Sequence, residues 1–279
     1  MYTYAATGIL SEIKTMDLNA VTVLSQTAYT YYMDGNVYTE TDVLSGTTTT
    51  YTYDLAGRLK TEVSPAGTYS YTYDAAGNRA SMTENGTTTT YTYDKNNRLL
   101  TETKSGSVKS YTYDANGNML TGDGATYIYD ARDRQFGFVK GTTSASYTYY
   151  PTGLRKSKIS NLAVTNYAWD GGNMVLEYTG SAAAGKVYVY GLTLISQGNS
   201  WYYIYNAHGD VVKYINAAGA VLKSYDYDAF GEEASPSNTD ANPFRYAGEN
   251  RKKTPIVSLD AVYRGKRGRR GCQNGRIYA

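Results

Sequence analysis

The chain has 279 residues with 27 Lys and Arg against 25 Asp and Glu, a formal charge of +2, so it has no overall excess of either sign. Leu, Ile, Val and Phe make up only about 16% of it, a level that would suggest disorder if net charge were high. Instead, 33 Tyr supply apolar area while their hydroxyls bond to water or backbone, and the single cysteine, Cys272, excludes a disulfide framework and any multi-thiolate metal site. No run reaches the roughly 18 apolar residues that span a bilayer, and Met1-Tyr2-Thr3-Tyr4-Ala5 has neither a basic start nor an apolar stretch. If this chain is exported, something outside it carries the address.

Residues 1–50 read as degenerate repeats, with Tyr2-Thr3-Tyr4 and Tyr29-Thr30-Tyr31-Tyr32 as weak copies of a motif that becomes regular in residues 51–178. There Tyr-Thr-Tyr-Asp starts at Tyr51, Tyr71, Tyr91 and Tyr111, each copy twenty residues after the last. A fixed period means one supersecondary unit used repeatedly. Side chains alternate along a strand, so Tyr51 and Tyr53, Tyr71 and Tyr73, Tyr91 and Tyr93, and Tyr111 and Tyr113 each project two rings from one face, with Thr on the other. Asp54, Asp74, Asp94 and Asp114 follow as turn formers whose carboxylates accept backbone N–H bonds, and Gly57, Gly77 and Gly117 supply positive φ. A second strand comes next, then a two-residue turn such as Asn85-Gly86, with Ser105-Gly106 and Ser45-Gly46 in the same place. Each repeat is one hairpin, and successive hairpins form an antiparallel meander.

Further copies occur at Tyr127 to Asp130, Tyr147 to Tyr150 and Tyr167 to Asp170. Residues 179–249 change character. They contain Tyr188-Val189-Tyr190-Gly191-Leu192, Tyr205-Asn206-Ala207-His208-Gly209-Asp210-Val211, Tyr225-Asp226-Tyr227-Asp228-Ala229-Phe230-Gly231-Glu232 and Asn242-Pro243-Phe244-Arg245-Tyr246-Ala247-Gly248. Residues 250–279 form a divergent basic tail of net charge +8, against −6 for the rest, and are read as disordered and solvated rather than as a nucleic-acid site.

Catalytic patterns are weak. His208 is the only histidine, lies in a turn-like Asn206-Ala207-His208-Gly209, and reads as a surface turn residue. Asp114-Ala115-Asn116-Gly117-Asn118 has its glycine fourth rather than sixth and Ala125 at the twelfth place, so it is no calcium loop. The pairs Glu232-Glu233 and Asp226/Asp228 suggest no pocket that would shift a pKa, and the glycines lack the lysine of a phosphate loop. No enzyme activity, cofactor or metal is expected.

The run Tyr71-Thr72-Tyr73-Asp74-Ala75-Ala76-Gly77-Asn78-Arg79, with its copies, resembles the YD-repeat, or Rhs, family over about Tyr29 to Gly248. The segments at 188–192, 205–211, 225–232 and 242–248 resemble the Rhs-associated core, in which Tyr225, Tyr227, Asp228, Phe230, Gly231, Asn242, Pro243, Phe244 and Gly248 carry the motif. The resemblance implies an all-β fold of antiparallel hairpins in a spiralling, Tyr-rich sheet that closes into a hollow shell. In bacterial members the shell encloses a C-terminal toxin, and related animal proteins use a similar shell in adhesion. About ten hairpins, or twenty strands at 4.8 Å spacing, span only about 100 Å, so an incomplete shell is expected.

The family's usual continuation after Gly248 is absent, which reads as truncation or a frameshift at Glu249-Asn250-Arg251. The implied role is a non-enzymatic structural fragment of a secreted or cell-surface parent, with the remaining shell repeats and toxin cargo as partners. Two other readings stand beside it. One is a surface module whose Tyr and Asp bind carbohydrate; the other is a toxin in the basic tail, for which some thirty residues are too few to bury a catalytic core.

Overall fold

The computed structural model describes residues 1–246 apart from 18–20, 181, 183–184, 235, 237–239 and 241; the basic tail and Gly248 lie outside the described residues. Two compact units emerge, Met1–Val108 with the described part of Ile204–Arg251, and Lys109–Tyr203. Among the described residues there are 23 strands, and every named strand pairing is antiparallel. The fold is all-β, as expected, with three more strands than the repeat count predicts.

In the first unit the meander runs β1 (Tyr2–Tyr4), β2 (Leu10–Met16), β3 (Val23–Tyr31), β4 (Val37–Asp42), β5 (Thr47–Tyr53), β6 (Leu59–Ser64), β7 (Gly67–Tyr73), β8 (Arg79–Glu84), β9 (Thr87–Tyr93) and β10 (Leu99–Lys104), each strand paired to the next. β11 (Ser107–Tyr113) leads into the second unit. That unit continues with β12 (Met119–Gly122), β13 (Ala125–Tyr129), β14 (Gln135–Lys140), β15 (Thr143–Tyr149), β16 (Arg155–Ser160), β17 (Ala163–Asp170), β18 (Asn173–Tyr178), β19 (Lys186–Tyr190), β20 (Leu194–Gln197) and β21 (Trp201–Tyr205). The chain then returns to the first unit with the hairpin β22 (Val211–Ile215) and β23 (Val221–Ser224).

The turn after each Tyr-Thr-Tyr-Asp is built by its aspartate. Asp54 Oδ1 accepts from the backbone N–H of Ala56 and Arg58, both at 2.9 Å, and Arg58 Nε donates to Asp54 Oδ2 at 2.7 Å. Gly57 takes φ of 71° there, but Asn97 and Asp133 reach 58° and 57° in later copies, so glycine is favoured without being required. At the other end of the hairpins Asn85-Gly86 and Ser105-Gly106 have positive φ at both positions, the primed turn that matches strand twist. Ser45-Gly46 differs: it closes a longer loop in which Asp42 Oδ1 accepts from Leu44 and Ser45.

A bulge follows every such turn. Tyr53 pairs with Leu59 but Thr52 pairs with Thr61, leaving Lys60 as an extra residue, and the same slip recurs at Tyr73/Arg79 and Tyr93/Leu99. It resets the alternation, so Leu59 and Glu62 both face inward while Lys60 is exposed and Thr61 joins Thr52 on the outer face, oxygen to oxygen 2.6 Å apart. Inward rings then form the core: Tyr29, Tyr51, Tyr69 and Tyr71 with Ile13, Val37, Leu59 and Met82 in the first unit. Met119, Tyr127, Phe138, Tyr147, Tyr167, Met174 and Tyr188 are buried in the second.

The second tyrosine of each motif ties its repeat to the one before. Tyr53 donates to the Val37 carbonyl at 2.9 Å, Tyr73 to Leu59 at 2.7 Å and Tyr93 to Arg79 at 3.0 Å, and Trp169 Nε1 does the same to Arg155 at 2.7 Å. Arg58 and Arg134 lie over the next repeat's ring, Tyr73 and Tyr149, at 4.6 and 4.9 Å. Tyr73→Phe removes one tie and leaves the Leu59 carbonyl without that donor; chemical denaturation of the variant is expected to show a loss of about 1 kcal/mol, and no loss would assign the ties no weight.

Candidate functional site

Registers set by the bulges place Glu40 opposite Tyr29 and Glu62 opposite Tyr51, both inward. This makes an acidic floor on the first unit. Tyr29 and Tyr51 donate to the two oxygens of Glu40 at 3.3 and 3.5 Å, and Tyr71 donates to Glu62 Oε2 at 3.4 Å. Glu62 is 3% exposed, while Glu40 keeps partial exposure.

Residues Asn206–Asp210 and Tyr227–Glu233 cover this floor. The N–H of Ala207 donates to the Tyr29 hydroxyl at 3.1 Å, and that of Ala229 donates to Glu62 Oε2 at 3.0 Å. Phe230 packs on Tyr71 with ring centres 4.9 Å apart, and the Arg79 guanidinium lies 4.5 Å from the centre of the same Phe230 ring. Asp228 builds its turn as Asp54 does, Oδ1 accepting from Phe230 at 2.9 Å and Glu232 at 2.8 Å.

Tyr225 and Asn242 of the core motif meet at a buried network with Asp240 and Arg245. The Tyr225 hydroxyl donates to Asp240 at 2.8 Å and accepts from Arg245 at 2.6 Å, and Arg245 also pairs with Asp240 at 2.9 Å and Glu233 at 3.3 Å. Asn242 holds both backbone groups of Phe244, its Oδ1 accepting from the Phe244 N–H and its Nδ2 donating to the Phe244 carbonyl. Pro243 is fully buried, and the Tyr227 hydroxyl donates to the Val211 carbonyl at 3.0 Å. Gly231 has φ of 84°, and a Cβ there would lie 2.6 Å from the Tyr246 ring, so this glycine is fixed by both conformation and space.

Two readings from the sequence are corrected. His208 is no surface residue: its side chain is 12% exposed, its Nδ1 lies 2.8 Å from Asp210 Oδ1, and its ring stacks on Tyr246 at 4.7 Å because the turn folds under the Asn242–Tyr246 stretch. Its Nε2 has no hydrogen-bond partner. Asp226 and Asp228, expected to have no perturbing environment, have raised pKa values, Asp228 reaching about 6 through burial and then the charge of Glu232. Burial lifts Glu62 to about 8, with Asp228 adding to it, and Glu40 to about 7. The same turn in the open repeats behaves oppositely: hydrogen bonds from the Arg134 side chain first, then backbone, bring Asp130 down to about 2.

Glu40, Glu62, Asp210, Asp240 and Arg245 were not singled out from sequence. Residues eleven after the first tyrosine of each motif, Glu40, Glu62, Met82 and Glu102, all stand opposite that tyrosine, which is the signal that could have found the floor. No group of three or more His, Cys, Asp and Glu able to hold a metal occurs among the described residues, and no helix there is long and apolar enough to cross a membrane. The rings of the regular motif are committed to protein, Tyr51, Tyr71 and Tyr111 being buried and Tyr53, Tyr73 and Tyr93 bonding backbone carbonyls, whereas Tyr2, Tyr4 and Tyr38 are exposed.

Comparison with known proteins gives these features a family. The RHS Repeat model matches residues 31–69, 73–107 and 93–125, the stretch of bulged, tyrosine-tied hairpins. These segments carry RHS repeats. Similar proteins include the tRNA3(Ser)-specific nuclease WapA of Bacillus spizizenii, 36% identical over 129 residues, and the tRNA nuclease WapA of Bacillus subtilis (strain 168), 33% identical over 129 residues. Each match takes in 41% of this chain and 5% of the relative, so the chain spans a small fraction of those proteins. Among solved structures, TcdB2-TccC3 superposes on 90% of this chain and 16% of its own with a TM-score of 0.62 at 18% identity, and TcdB2-TccC3-Cdc42 does so with a TM-score of 0.61. At that identity the likeness is one of fold.

The buried Arg245 network gives a test of what holds the cover in place. Arg245→Met leaves Asp240 and Glu233 facing each other without their cation, and should cost about 3 kcal/mol or more. Hydrogen exchange is expected to rise across Tyr225–Glu233 while β13–β16 stay protected. Unchanged protection of the cover would show that the network does not hold it.

Proposed function

We propose that this chain is a non-enzymatic wall segment of a larger secreted or cell-surface RHS-repeat protein whose shell encloses and delivers a toxin. The observation that carries the reading is the chain of repeats each tied to its predecessor by a tyrosine hydroxyl, which builds extended wall rather than a pocket around a substrate. The repeat-family match, the nuclease names of the relatives and the fold shared with TccC3 complexes support it. So does the size of those proteins, many times that of this chain. Within such a wall the raised pKa values of Glu40, Glu62 and Asp228 arise from packing the Asn206–Asp210 and Tyr227–Glu233 cover onto the floor, with no substrate called for.

The test uses the reading frame with its flanking coding sequence. Cargo in the intact product is expected to resist added protease, and to become sensitive when the β7–β8 hairpin is excised, since that removes two strands of wall. Cargo digested equally fast with and without the hairpin would overturn the proposal.

A further inference from the structure

The contact between the floor and the turn at Asp226–Glu233 joins acids to acids. Glu62 of β6 projects inward and is 3% exposed, and its Oε2 accepts from Tyr71 of β7 and from the Ala229 N–H of the covering turn. The turn brings Asp228, itself 9% exposed, against Glu62, with Asp226 beside it and Glu232 next to Asp228. The other titratable groups facing this contact are Tyr51 of β5, Tyr69 and Tyr71 of β7, and Arg79 of β8. Glu40 of β4 lies along the same floor, facing Asp210 and Asp226. Arg79 is the one permanent cation in the set. Its single guanidinium faces two buried acids, Glu62 and Asp228, while Asp226 and Glu232 keep their exposure to solvent, so the dry part of the contact does not hold both buried charges ionised at low cost.

We propose that Glu62 and Asp228 make the seating of the Asp226–Glu233 turn a pH-sensitive latch, closed while Glu62 carries a proton and loosened once Glu62 and Asp228 are both ionised. The latch is a property of this contact and holds whether or not a parent shell contains cargo. A protonated Glu62 still accepts from Ala229 and Tyr71, so closure loses no hydrogen bond. Ionisation adds a second buried negative charge next to Asp228 with no added partner.

The direction follows from linkage. Both groups bind protons more tightly when the turn is seated, Asp228 to about 6 and Glu62 to about 8, against ordinary values of 3.8 and 4.5. The stabilisation is therefore complete below the ordinary values, weakens as pH rises, and is gone above about 8.

Hydrogen–deuterium exchange on the full 279-residue chain, corrected for the intrinsic pH dependence of exchange, reads this directly. Protection of Asp226–Glu233 is expected to fall about tenfold or more between about pH 5.5 and about pH 8.5, with β13–β16 of the other unit unchanged. Equal protection at both values, or a matching fall in β13–β16, would overturn the latch without recourse to any variant. Glu62→Gln mimics the protonated acid and should keep the turn protected at the higher pH. Asp228→Asn, which can still accept from Phe230 and Glu232, should reduce the fall. A fall as large as wild type in either folded variant would refute the assignment to these two residues.

Discussion

One extra residue per hairpin governs this molecule. The bulge behind each Asp turn resets which side chains face inward, and without it Leu59 and Thr61 would share the inner face while Glu62 pointed outward. With it, Leu59 and Leu99 seal the bases of their hairpins, Arg79 takes the same place in the hairpin between, and the residue opposite the first tyrosine is delivered to the floor. Hydroxyl pairs such as Thr52 with Thr61 and Thr92 with Thr101 then occupy the outer face. The bulge therefore sorts residues as much as it bends the strand.

The turn aspartate shows how one local device serves two ends. In Asp94 and Asp130 the carboxylate faces outward, takes backbone and arginine donors, and is held below the usual carboxylate range. Asp228 makes the same backbone bonds but is driven against Glu62 and away from water, and its proton affinity rises. Arg79 touches it only through the field and stacks on Phe230 and Tyr91 instead. Environment, rather than motif, sets the charge.

Much of the fold was legible because the repeat states its own geometry: Tyr-x-Tyr gives the strand face, Asp gives the turn, and Asn85-Gly86 gives the hairpin reversal. The motif at Tyr225, Asn242 and Phe244 was legible as a motif, and these residues do meet. The acidic floor was not, because period-two alternation counted from Leu59 places Glu62 outside, and only the bulge reverses that. His208 was misjudged since the local turn pattern is right, while its burial depends on Tyr246, nearly forty residues later. Asp240 lies outside the quoted motifs and Arg245 stood only as part of the run from Asn242 to Gly248; their significance arises when both are brought to one hydroxyl, that of Tyr225.

The ties made by the second tyrosine of the regular motifs run one way. Tyr53 reaches back to Val37, Tyr73 to Leu59 and Tyr93 to Arg79, each only 14 to 16 residues upstream. For these ties a repeat emerging in N-to-C order finds its docking carbonyl already in place, whereas Tyr32 and Tyr150 bond forward to the Tyr51 and Tyr167 carbonyls. Most pairings in the sheet join neighbours in sequence, so few long loops have to close. Ala207 and Ala229 break that rule, returning to Tyr29 and Glu62 across more than 160 residues, so these two contacts close the longest loops in the first unit and carry the largest entropic cost of closure.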